Sequence, residues 1–139
     1  MKKLLLILLL LTYISSIGQQ HSGTDSFTKV NGVELFYRSM GEGEPIIVVH
    51  GGPGLDESYF HPGIDPLSSK FKLISYDQRG SGRSQGTLDT SMLTLDQYVE
   101  DIEGLRKSLQ IEKMHLMGHS FGGLLSLLYA SKYSENLLS

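Results

Sequence analysis

The run Gly118-His119-Ser120-Phe121-Gly122 is where the residue types and spacing of this 139-residue chain could support covalent chemistry. A serine with glycine two positions away on each side, G-x-S-x-G, is the pattern of a nucleophile carried on a very sharp strand-to-helix turn. Such a serine must stand clear of the main chain on strained backbone angles. Bulky residues at 118 or 122 would collide across the turn, and the two glycines leave room. The chemistry would be attack of the Ser120 hydroxyl on a carbonyl carbon, forming an acyl-enzyme. The alternative is an ordinary strand-to-helix turn that happens to contain serine, and the flanking sequence decides against it. Residues 113–117 read as an apolar strand and Phe121–Lys132 as an apolar helix, whose start turns N–H groups and a positive dipole end toward Ser120.

A second run, His50-Gly51-Gly52-Pro53-Gly54, fits a complementary task. Acyl transfer places negative charge on a carbonyl oxygen, and two N–H donors must be waiting for it; losing one typically costs about 100–1,000-fold in rate. The Phe121 N–H, immediately after the nucleophile, is one candidate. The Gly52 N–H, on a loop whose glycines let the main chain approach a substrate closely, is the other.

Elements that could hold these two runs side by side are legible around them. Residues 27–30 and Val33–Met40 read as strands joined by Asn31-Gly32, the pair that supplies positive φ at both central positions of a type I′ hairpin turn. Residues 41–45 read as a turn. The β-branched run 46–49 reads as a strand buried on both faces, ending at the glycine-rich loop. Phe71–Tyr76 is a further strand, ending at Asp77-Gln78-Arg79-Gly80-Ser81-Gly82-Arg83-Ser84. Leu95, Tyr98, Val99, Ile102, Leu105 and Leu109 recur at helical spacing, and Thr94 with Gln97 fits a capping box. Strands alternating with helices predict an α/β architecture, an antiparallel hairpin leading into a parallel sheet flanked by helices.

Together HGGPG, DQRGSGRS and GHSFGG, at these separations, resemble the α/β-hydrolase superfamily, and within it most closely the proline iminopeptidases. The resemblance extends over nearly all of the chain after its first 26 residues. It implies a serine hydrolase that removes an N-terminal residue, often proline, from short peptides, without a cofactor. Members commonly carry Gly and Trp around the serine, where this chain has His119 and Phe121; His-Ser is frequent in esterase-like members, so a small peptide or an ester is the implied substrate. Relatives that use an aspartate nucleophile, the dehalogenases and epoxide hydrolases, differ from this chain at Ser120.

A serine hydroxyl needs a base, and the base an orienting acid. In this fold both follow the nucleophile. The 19 residues after Ser120 contain no histidine, no aspartate and one carboxylate, Glu135. Asp77 precedes Ser120, and we read it with Arg79 as shaping the loop. His119 adjoins the serine in sequence, an awkward place for its base, and His115 reads as a packed or paired strand histidine. The expectation is therefore the N-terminal half of a hydrolase, inactive or nearly so alone, with the outer edge of strand 113–117 left open. A non-catalytic binding protein, or a half-enzyme awaiting a complementing C-terminal half, are the other readings.

Composition fits this picture. Hydrophobic residues make up 40% of the chain and charged residues 19%, too apolar for disorder. Twelve Lys and Arg against 15 Asp and Glu, with no basic run, argue against nucleic acid as a partner. There is no cysteine, which excludes disulfides, thiol catalysis and cysteine-ligated zinc, and the histidines lack metal-ligand spacing. The start, MKKLLLILLLL, is basic and then apolar for less than the roughly 20 residues a membrane span needs. With small residues at Ser16 and Gly18 it reads as a signal peptide cleaved after Gly18, giving domains at 1–18 and 19–139 and an exported product.

Overall fold

The computed structural model describes residues 23–84 and 89–139. The expected signal peptide, residues 1–18, lies outside the described residues. Five strands form one mixed sheet: β1 (Thr24–Val30), β2 (Val33–Met40), β3 (Glu44–Val49), β4 (Phe71–Tyr76) and β5 (His115–Gly118). Their order across the sheet is β1-β2-β4-β3-β5. The first two pair antiparallel and β2 is antiparallel to β4, whereas β3 runs parallel to both β4 and β5. Two helices, α1 (Leu95–Ser108) and α2 (Phe121–Lys132), complete the α/β framework.

The hairpin forms as its turn dictates. Asn31 has φ 46° and Gly32 φ 81°, and the register runs from Val30 opposite Val33 back to Thr24 opposite Ser39. In β3 the period-2 alternation of side chains divides the apolar run between two cores. Ile47 and Val49 join Leu35, Ile74, Ile102, Leu105, Leu125 and Tyr129 under the helices. Ile46 and Val48 join Met40 and Leu73 on the opposite face, closed by Phe60 and Ile64. Helix α1 buries Tyr98, Val99, Ile102 and Leu105, while Leu95, in its first turn, is exposed.

Five expectations are corrected. Glu44 and Pro45 belong to β3, paired with Phe71 and Lys72, not to the preceding turn. Strand β1 begins at Thr24, and β5 at His115, not Lys113. The capping box is half made: Thr94 accepts from the Gln97 N–H at 3.2 Å, but the Gln97 side chain reaches Asp101 at 3.4 Å instead of turning back. Finally, the outer edge of β5 is partly covered at its start. The chain turns after α2 through Ser134–Asn136 and lays residues 136–139 alongside it, with Met114 N–H donating to Asn136, Leu138 N–H to Met114 and Leu116 N–H to Ser139. The bridge between Met114 and Leu137 is parallel and stands outside the five strands.

Candidate active site

Strands β3 and β5 end in the same row, Val49 opposite Gly118, and this places the two glycine-containing loops next to each other. The His119 N–H donates to the Val49 carbonyl at 3.1 Å, tying the turn after β5 to the end of β3. Ser120 follows with φ 54° and ψ −118°, a conformation costly for a residue with a side chain. It is exposed at the sheet rim, and α2 begins at the next residue.

The glycines do what the spacing requires. A Cβ at Gly118 would strike the Gly122 carbonyl and the Ser126 hydroxyl, and one at Gly122 would strike the carbonyls of Val49 and His50. A Cβ at Gly51 would lie 3.3 Å from Cβ of Ser120, so the loop after β3 closes directly against the serine. Among the described residues, no group accepts from the N–H of Gly52 or of Phe121, and none bonds the Ser120 hydroxyl. The three candidate site residues therefore converge on the rim with the Gly52 and Phe121 N–H groups and the Ser120 hydroxyl uncommitted. Beside them a cavity of about 260 Å³ opens between Pro53, Gly54, Ser81, Leu93 and Tyr98. The Tyr98 ring packs edge-on against Phe121, linking that cavity to the elbow.

The loop after β3 is fixed from below by His50, which is fully buried. The Gln78 N–H donates to its Nε2 at 3.0 Å, which leaves the ring proton on Nδ1, 2.5 Å from the Gly51 carbonyl. The Gln78 side-chain amide donates to the His50 carbonyl at 2.6 Å. Burial holds the His50 pKa below its ordinary value, favouring this neutral ring.

Asp77 and Arg79 shape the loop after β4. The Asp77 carboxylate accepts from the N–H groups of Glu57 at 2.9 Å and Arg83 at 2.7 Å. Arg79, 2% exposed, makes a two-pronged ion pair with Asp101 of α1 at 2.6 and 2.7 Å. Asp101 also accepts from the side chain of Asn31 in the hairpin turn, joining hairpin, helix and loop.

No described histidine contacts the Ser120 hydroxyl. His115 is paired, with Nδ1 2.8 Å from the Ser139 hydroxyl and Nε2 3.3 Å from Glu44. His61 lies between Glu57 and Asp65, and His119 bonds Tyr59. Sequence reasoning passed over the short turn Glu57–Phe60, which brings two of these partners in. Its one signal is Asp56, whose carboxylate caps the turn by accepting from the Ser58 N–H at 2.9 Å. Glu57, wholly buried, accepts from the Ser75 hydroxyl at 2.8 Å and from Arg83, and so pins that turn to β4.

This framework, with a strained serine between a parallel strand and a helix and a glycine loop at the neighbouring strand end, defines an architecture that comparison identifies. The family model described as the alpha/beta hydrolase fold matches residues 44–139, and the chain belongs to that family. Among its relatives, the proline iminopeptidase of Saccharolobus solfataricus is 34% identical over 129 residues, and that of Lactobacillus helveticus 39% identical over 108. The matches cover 90% and 73% of this chain but 42% and 36% of those proteins, so the chain spans less than half their length. Among solved structures, a proline iminopeptidase-related protein from Thermus thermophilus superposes with a TM-score of 0.77 at 31% identity, over 82% of this chain and 42% of its own. An epoxide hydrolase from Vigna radiata gives a TM-score of 0.80 at 26% identity, over 86% of this chain and 38% of its own.

Proposed function

We propose that this chain carries the nucleophile-bearing part of a serine hydrolase of the proline iminopeptidase type. In this reading the Ser120 hydroxyl attacks the carbonyl carbon of the N-terminal residue, often proline, of a short peptide, breaking its amide bond to the next residue. The N–H groups of Gly52 and Phe121 receive the oxyanion, and the amine leaves as an acyl-enzyme forms on Ser120. The observation that carries the reading is the backbone of Ser120, at φ 54°, between two glycines where no Cβ fits. A strained serine at a strand–helix junction is otherwise an unrewarded cost of about 1–3 kcal/mol. The likeness to proteins named proline iminopeptidase supports the substrate class.

The proton from Ser120 needs an acceptor, and no described histidine reaches it. We therefore expect the 139-residue chain alone to show little turnover, because enzymes lacking triad members keep only roughly a 1,000–10,000-fold acceleration over water. The test compares release of arylamine from a proline arylamide, and of phenol from a simple ester, by this chain and by the whole polypeptide its gene encodes. Activity of the whole polypeptide that is lost on Ser120→Ala supports the proposal. Full turnover by a Ser120→Ala variant overturns it. Hydrolysis of the ester but not the arylamide would move the assignment to an esterase, the reading that His119 beside the serine favours.

A further inference from the structure

One hydroxyl joins the two halves of the rim. Tyr59, in the Glu57–Phe60 turn, has its Oη 2.7 Å from the Gly51 nitrogen and 2.9 Å from His119 Nδ1. Gly51 begins the glycine loop and His119 immediately precedes the serine, so this contact spans the gap across which a substrate carbonyl would lie. The Gly51 N–H can only donate, which makes the phenolic oxygen its acceptor. A phenol oxygen conjugated with its ring is a weak double acceptor and a good donor, and its proton is still unassigned. His119 Nδ1 is the described group placed to take it. With that donation Nδ1 would be unprotonated and the ring proton would sit on Nε2. Tyr59 and Phe60 flank the imidazole edge-on, with ring centroids 5.6 and 6.3 Å away, which holds its plane.

We propose that Tyr59 is a positioning residue for the site: its hydroxyl engages the Gly51 N–H, leaving Gly52 as the loop's donor, and locks exposed His119 in the tautomer with Nε2–H as a donor at the site mouth. This rests on the serine hydrolase reading for its purpose but not for its geometry. His119 then offers a hydrogen bond to a carbonyl or carboxylate oxygen of the substrate, and neither ring nitrogen competes for the Ser120 proton. The loop and the serine turn are also held at one separation by a contact that needs no main-chain atom of either strand.

The experiment reads the tautomer directly. Long-range proton–nitrogen spectra of the 139-residue chain, labelled with nitrogen-15 and recorded above the titration of histidine, separate the two neutral forms. In the unaltered chain His119 should be almost wholly the Nε2–H form; a predominantly Nδ1–H ring overturns the proposal with no variant needed. In Tyr59→Phe the ring should drift toward a mixture of tautomers, and the Gly51 amide should exchange roughly 2- to 12-fold faster, the equivalent of one net hydrogen bond. An unchanged tautomer and unchanged exchange in a folded Tyr59→Phe chain overturn it as well. Ser120→Ala should leave both signals alone, so loss of hydrolase activity and loss of the Tyr59 bridge are read independently. In the active whole polypeptide, Tyr59→Phe should lower kcat more than it raises KM; a change confined to KM overturns the positioning role.

Discussion

The loop after β4 and the loops after β3 and β5 leave the same edge of one sheet, yet treat their polar groups in opposite ways. After β4 the groups are saturated: Asp77 takes two main-chain N–H groups, the Ser84 hydroxyl donates to the Asp77 carbonyl and accepts from Phe36, and Arg79 is paired with Asp101. After β3 and β5 the groups that matter are left unsatisfied. The N–H groups of Gly52 and Phe121 and the Ser120 hydroxyl have no partner among the described residues, and Ser120 is held at a costly φ. The difference teaches how strain persists at a rim. Backbone in a sparsely populated conformation survives only where its surroundings over-determine it, and the neighbouring loop and the two helices supply that surplus.

The contrast can be broken from its rigid side first. Asp101→Ala leaves the buried Arg79 guanidinium without its carboxylate, and urea unfolding should show a loss of about 3–5 kcal/mol. A loss near zero would mean that the loop after β4 is not an anchor. Acid should act next. The two-pronged Arg106 guanidinium, helped by the Tyr129 hydroxyl at 2.7 Å, holds the Glu103 carboxyl at about 2 against an ordinary 4.5. A lowered folded value means the stabilisation is complete above the unfolded pKa and is lost as pH falls from about 4.5 through about 2. For this largely buried group it is worth roughly 3 kcal/mol. Stability of the unaltered chain should therefore fall more steeply over that interval than that of Glu103→Gln; equal slopes would remove Glu103 from the account. The smallest effect has the opposite sign. Ser120→Gly relieves the strained φ, and after the entropy glycine adds to the unfolded chain it should raise stability by about 1 kcal/mol. Destabilisation on that substitution would show that the rim carries no strain.

Much of this is legible in the sequence. The hairpin turn at Asn31-Gly32, the helix Phe121–Lys132 and the steric need for Gly118 and Gly122 all follow from local rules that short stretches obey. What stayed hidden is long-range. Nothing in the sequence of β4 says that it inserts between β2 and β3, because a buried apolar strand is compatible with any neighbour. Tyr59 and Glu57 sit in a short irregular turn without periodicity, and their partners lie at positions 119 and 75, where pattern reading has no reach. The apolar run 46–49 gave burial on both faces, but not that the chain's last four residues would partly cover the outer edge of β5.

The pairing of Val49 with Gly118 has a consequence for populations of molecules. Side chains in a strand alternate faces, so a one-residue slip between β3 and β5 would turn Ile47 and Val49 out of the core beneath the helices. That slip would also carry the glycine loop one step away from Ser120. The apolar core thus acts as a proofreader for geometry it does not touch: any misalignment of the rim costs buried apolar contacts, so the native alignment is the favoured one.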